Sequence, residues 1–228
     1  MRPVTERLTP AVKILVIVQA VVFCFYALVR EARPFIEGHL ALGPGFLHGE
    51  LWQPVTALFV HLDWLGFIFD MIGLWFVGAF IERSNGTRRF LQLFFTAGIL
   101  SFVTLGLVGG LFKSYGLGDG CSAAALALFV AFGKMYGRAP AQILPGMVMQ
   151  ARYLTWLLVG FALVADLSRL NWAGMAATLV ACAVGYLMAG GGLRDLLALF
   201  KARRLRRRYR VLDGGQSRAG KKKNQLWN

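Results

Sequence analysis

The sequence predicts an all-α membrane protein, a bundle of six transmembrane helices with an outer loop between the first two spans. Three observations lead there. Of 228 residues, 57% are apolar and only 16% charged, against roughly 45–50% apolar in ordinary soluble chains. The apolar residues gather in six runs near the length of about 20 residues that a bilayer core requires. The charge is segregated: of 25 Lys and Arg, 12 follow residue 190, leaving a nearly neutral apolar body and a basic tail within a net +14.

The six runs are residues 11–29, 64–81, 90–112, 121–137, 153–168 and 171–190. The first lies between Lys13 and Arg30 and lacks a small-x-small cleavage site after it, so it reads as a retained span and not as a removable leader. The third runs from Phe90 to Phe112 without a charge. The fourth and fifth are the shortest. The chain thus divides into an N-terminal segment (1–10), a transmembrane domain (11–190) and a basic tail (191–228), the last predicted to be disordered after about residue 211 for want of apolar periodicity.

Lys and Arg in short loops are held on the cytoplasmic side. With six spans, 21 of them fall on one side, including Arg83, Arg88, Arg89, Lys134, Arg138 and Arg152, and four on the other: Arg30, Arg33, Lys113 and Arg169. The expectation is a multi-pass protein of the cell membrane with both termini cytoplasmic. The tail from Lys201 to Arg210 reads as a topology lock lying on anionic lipid headgroups, each cation contributing about 1 kcal/mol there. That reading is preferred to nucleic-acid binding. Cys24, Cys121 and Cys182 give no disulfide framework and no metal-ligand spacing, so neither cofactor nor metal is expected.

Polar side chains at membrane depth are costly and mark functional sites by default. Asp70 lies six residues into the second span, Ser122 opens the fourth and Asn171 the sixth. In the sixth span Gly174, Thr178, Ala181 and Gly185 share one helical face, and the fourth is equally slim around Ala123, Ala124, Ala125 and Ala127. Small faces let helices approach closely in lipid. Spans four and six are therefore expected to pack together and to bring Ser122 and Asn171 into one neighbourhood.

These residues resemble the rhomboid family of intramembrane serine proteases over roughly residues 12–190. The segment Glu50-Leu51-Trp52-Gln53 through Thr56-Ala57-Leu58-Phe59-Val60-His61 is similar to the family's Trp-Arg and Thr-x-x-Phe-x-His runs. Gly78 and Ile81-Glu82-Arg83 resemble the end of its second span. Gly120-Cys121-Ser122-Ala123 stands where the family has Gly-x-Ser-Gly, and Asn171-Trp172-Ala173-Gly174 where it has His-x-x-Gly. The resemblance implies a rhomboid-like six-helix fold with Ser122 at the nucleophile position and Asn171 at the base position. It puts the oxyanion-stabilising His and Asn of the second span at Gly66 and Asp70. Gln53 replaces the family's Arg, and Ala123 the Gly after the nucleophile.

These departures remove the chemistry. A serine hydroxyl is a weak nucleophile until a base takes its proton, and an asparagine amide neither takes it nor returns it to the leaving amine. An ionised Asp70 would repel a developing oxyanion, where loss of one donor already costs about 10²–10³ in rate. The histidines His39, His48 and His61 all precede or open the second span. Lys134 stands 12 residues along Ser122's own helix, about 18 Å away. His61 reads as a structural histidine, and His39 and His48 as loop residues. The expectation is a pseudoprotease that binds or routes transmembrane clients through a cavity lined by Asp70, Ser122 and Asn171. The alternatives are an active endopeptidase using Ser122 with an atypical base, and a small ion or proton transporter using Asp70. Against the transporter stands the absence of internal repeats.

Overall fold

The structure, a computed structural model, describes residues 9–112, 117–144 and 147–189. The basic tail and the start of the N-terminal segment lie outside these residues. Each of the six apolar runs forms a helix: α1 (Pro10–Leu28), α2 (Trp64–Asn85), α3 (Thr87–Leu111), α4 (Ser122–Met135), α5 (Ala151–Ser168) and α6 (Trp172–Met188). Among the described residues, α1, α2, α3 and α5 are long and apolar enough to cross a membrane. The shorter pair are α4 and α6, with 14 and 17 residues, whereas the sequence pointed to the fourth and fifth runs. Exposed Ile14, Val21 and Phe25 on α1, with Trp156, Phe161 and Val164 on α5, form the apolar exterior. The protein is a multi-pass, all-α membrane protein in contact with lipid.

Two features depart from plain helices and loops. Residues Leu74–Gly78 form a π-helical turn within α2. The loop expected between the fourth and fifth spans contains an antiparallel hairpin, β1 (Pro140–Leu144) with β2 (Met147–Gln150), pairing Pro140 with Gln150 and Ala141 with Met149.

Helix α6 packs against both α3 and α4. A Cβ at Gly185 would strike the Ala127 carbonyl oxygen and come within 2.9 Å of the Ala127 Cα, so α4 and α6 meet backbone to backbone. Ser101 Oγ on α3 donates to the Ala177 carbonyl on α6 (3.1 Å). Thr155 Oγ1 on α5 donates to the Phe129 carbonyl on α4 (2.9 Å). These polar links replace the hydrophobic drive that is absent between helices in lipid. Glu82 ties α1 to the end of α2. Its carboxylate accepts the Ala11 and Val12 N–H groups at 3.1 and 3.0 Å, satisfying first-turn donors of α1.

The segment between α1 and α2 is a succession of short helical turns from Arg30 to Phe59. Gln53, fully buried, organises it by accepting the Gly43 N–H (3.0 Å) and donating to the Gly38 carbonyl and Glu50. Leu42 bridges to Gly118 in the loop before α4. Leu58 and Phe46 press on Gly98 and Gly106 of α3, where a Cβ has no room. The inter-helix segment is thereby held against the end of the bundle where α4 begins.

Candidate functional site

Helix α4 spans about 21 Å at 1.5 Å per residue, less than the roughly 30 Å of a bilayer core. By itself it is too short to cross such a core. At its N-terminal end five polar groups from four segments converge: Gln19 of α1, His61 from the loop before α2, Asp70 of α2, and Cys121 with Ser122 at the start of α4.

Gly120 makes this convergence possible. It holds φ +80°, a left-handed conformation that costs glycine nothing. Its N–H donates to the Val60 carbonyl at 2.6 Å. A Cβ there would lie 3.1 Å from Asp70 Oδ2 and 3.3 Å from His61 Cδ2. The tight turn aims the next two residues at α2. Asp70 Oδ2 then accepts three donors: the Cys121 N–H at 2.9 Å, the Ser122 hydroxyl at 3.0 Å and, opposite an ionised carboxylate, the His61 Nε2–H at 3.2 Å. Asp70 and His61 are 5% and 2% exposed, while Ser122 is exposed. A carboxylate at the N-terminus of α4 also meets the positive end of that helix.

The arrangement contains serine, aspartate and histidine, but in an order unlike that of a working triad. There the histidine stands between serine and acid, so that it takes the hydroxyl proton. Here the acid stands between, and the Ser122 hydroxyl and His61 both point at it. The Cys121 N–H beside Ser122 is occupied by the same carboxylate.

Asn171 has other partners. It caps α6, its Oδ1 accepting the Gly174 N–H (2.9 Å) while its Nδ2 donates to Asp166 Oδ1 (3.3 Å). Asp166 in turn accepts the Thr178 hydroxyl (2.9 Å). Helices α4 and α6 pack as the small faces indicate, yet the hydrogen bonds of Ser122 and Asn171 run to different groups. Gly66 donates its N–H to Asp63, the cap of α2, at 2.6 Å; it presents no side chain to the cluster.

His39 pairs with Glu50 (2.7 Å) and His48 with the Pro44 carbonyl (2.9 Å), both in the segment between α1 and α2. Lys134 donates to the Tyr186 carbonyl (2.7 Å), tying the far end of α4 to α6. Sequence reasoning passed over Gln19 and Asp119, and gave Cys121 no role. Gln19 was detectable by the rule that picked out Asp70, since it is a polar side chain in the middle of an apolar run. Its Oε1 accepts from the Cys121 thiol at 3.3 Å. Asp119 lies in the loop before α4 and accepts the Leu62 N–H at 2.8 Å. Burial pushes its carboxyl above the ordinary range, against the Leu62 hydrogen bond and the nearby His61, which lower it.

A sequence profile of the rhomboid domain matches residues 48–192, more than half of the chain. The chain belongs to the rhomboid family. Rhomboid protease GluP of Bacillus subtilis is 32% identical over 99 residues, covering 40% of this chain and 18% of its own length. Rhomboid-like protease 3 of Toxoplasma gondii is 28% identical over 88 residues, covering 39% and 32%. YdcA of Bacillus subtilis, provisionally named a rhomboid protease, is 25% identical over 126 residues, covering 49% and 62%. The chain spans less than two thirds of the length of each of these relatives. This rhomboid-family chain carries Gly120 and Ser122 of the Gly-x-Ser turn at the contact between α2 and α4, with the Asp70 carboxyl group in that contact.

Proposed function

We propose that this rhomboid-family protein is a pseudoprotease: a non-catalytic membrane protein of the cell membrane that binds or routes transmembrane clients. The observation that carries the reading is Asp70 Oδ2, which accepts the Ser122 hydroxyl and the Cys121 N–H together. Acyl transfer at Ser122 builds negative charge on the carbonyl oxygen under attack. Donors that would meet that charge are already spent on the Asp70 carboxyl oxygen. No histidine hydrogen-bonds Ser122 among the described residues. Asn171, engaged with Gly174 and Asp166, offers no base.

Of Asp70, Ser122 and Asn171, it is exposed Ser122 that meets a client segment, while Asp70 holds it from behind. Both termini lie in the cytoplasm on this reading, with the basic tail against anionic headgroups. The test is a serine-reactive fluorophosphonate probe applied to purified full-length protein, alongside a membrane-substrate cleavage assay. No labelling is expected, and Ser122→Ala leaves cleavage at background.

The 3.0 Å contact between Ser122 and Asp70 favours one competing reading, in which the carboxylate itself serves as an atypical base. That reading requires labelling abolished by both Ser122→Ala and Asp70→Asn. Either Ser122-dependent labelling or Ser122-dependent cleavage overturns the pseudoprotease.

A further inference from the structure

We propose that His61, Asp70 and Cys121 form a binding site for a zinc ion. The three come from separate elements, are all buried, and place a nitrogen, an oxygen and a sulfur within 4.8 Å of one another. Zinc takes this mixture of ligands. Its bond lengths, about 2.0–2.3 Å, set ligand atoms roughly 3.3–3.8 Å apart, so side-chain rotations of about 1 Å complete the site.

A second observation points the same way. Three buried side-chain atoms among the described residues lack a hydrogen-bond partner, and two belong to this cluster: Gln19 Nε2 and His61 Nδ1. Gln19 and Cys121 are fully buried, and the Gln19 amide lies against the Cys121 sulfur. Buried polar atoms are satisfied in the great majority of cases, and exceptions mark an ion, a water or a functional role. The unpartnered His61 ring nitrogen is open to a metal ion, whereas the Gln19 Nε2 group is an N–H donor that a cation leaves unmatched.

Electrostatics select a dication. Zn²⁺ with one carboxylate, one thiolate and a neutral imidazole has zero net charge, the state least penalised in an apolar body. Binding replaces the Cys121 S–H bond by a sulfur–zinc bond and releases that proton to solvent, so the apparent affinity rises with pH. His61 binds through a ring nitrogen as the neutral imidazole, and its contact with Asp70 becomes a shared metal. Exposed Ser122 marks the side from which the ion enters. The proposal stands apart from the pseudoprotease reading, because metal binding at these three residues and reactivity at Ser122 are separate measurements.

The test uses the full chain in detergent, purified through a tag free of histidine, with Zn²⁺ and Co²⁺ as probes. Elemental analysis after dialysis is expected to give about one zinc per chain. Cobalt is expected to produce a sulfur-to-metal charge-transfer band. His61→Ala and Cys121→Ala weaken binding by more than about 100-fold, beyond the cost of losing an outer hydrogen-bond partner. Cys24→Ala and Cys182→Ala leave it unchanged. Cys121→Ser, near-isosteric and able to keep the bond to Gln19, abolishes the cobalt band. X-ray absorption of the zinc-loaded native chain needs no variant and is expected to show one sulfur at about 2.3 Å. Substoichiometric zinc, a shell of nitrogen and oxygen alone, or binding indifferent to Cys121 overturns the proposal. Fluorophosphonate labelling of Ser122 overturns the pseudoprotease reading and leaves the zinc result standing.

Discussion

The Ser122 hydroxyl donates to Asp70 Oδ2 across 3.0 Å, and the same oxygen accepts the Cys121 N–H at 2.9 Å. The carboxylate therefore spans the joint between α2 and α4, bonding both a side chain and the backbone of the Gly-x-Ser turn. With His61 it makes a buried polar hub within the bundle. Its removal has consequences for stability as well as chemistry.

Asp70→Ala strands three donors, two of them buried. Unfolding in detergent, followed by tryptophan fluorescence, is expected to register a loss of about 3 kcal/mol or more. Asp70→Asn retains an acceptor oxygen but adds N–H groups with no acceptor, and should cost about 1–2 kcal/mol. Equal stability for Asp70→Ala and the native protein would contradict the hub.

The α4–α6 contact is tested by two glycines of opposite circumstance. Gly185→Leu drives a side chain into the Ala127 backbone, which must separate the helices. The expected cost is at least about 3 kcal/mol, at the upper end of overpacking effects, because backbone cannot rotate away. Gly160→Ala on α5 meets nothing within 4 Å and should be neutral or gain up to about 1 kcal/mol of helix propensity. Thermal unfolding of both variants measures the contrast.

Asp119 predicts a pH dependence. Burial raises its carboxyl in the folded state, so the folded chain holds that proton more tightly than the unfolded chain. The contribution to stability is fully present below the unfolded value and is lost as pH rises through the raised folded value. Asp119→Asn keeps an oxygen for the Leu62 N–H and removes the titration. A flatter stability profile is expected for the variant across mildly acidic pH, measured by denaturant unfolding at a series of pH values. Parallel profiles for the two proteins would remove Asp119 from the account.

Restoring the family's residues is expected to fail. A Cβ at Gly66 falls 2.7 Å from Asp63 Oδ2, the cap of α2, and Asn171 is itself the cap of α6. The variant combining Gly66→His, Asp70→Asn and Asn171→His should lose about 1–2 kcal/mol from its caps and remain unlabelled by fluorophosphonate. Ser122-dependent labelling of this variant would show that both caps yield without disturbing the site.

Much of the architecture was legible because a bilayer imposes one strong requirement. Six apolar runs became six helices, since backbone groups inside hydrocarbon must be satisfied within the segment. The small residues from Gly174 to Gly185 announced a close helix contact for the same reason: lipid lets backbones approach wherever side chains allow. The β1–β2 hairpin was not legible, nor were the short turns from Arg30 to Phe59. In those segments no repeating apolar pattern selects the conformation, and Gln53 holds the turns through bonds to groups up to 15 residues away.

At the site, the family resemblance puts Asn171 at the base position as an expectation, and the residue inventory by itself places every histidine before α3. This is a statement about which functional groups exist, and it needs no coordinates. Only the tertiary structure decided what the remaining groups do. His61, nine positions from Asp70 in sequence, and Cys121, 51 positions away, meet at one carboxylate because Gly120 turns the chain back toward α2. Asn171 and Ser122 have different partners although their helices touch. Periodicity places a side chain on a face of its helix; the identity of its hydrogen-bond partner depends on the ends of other helices, and those positions are set by packing across the whole bundle.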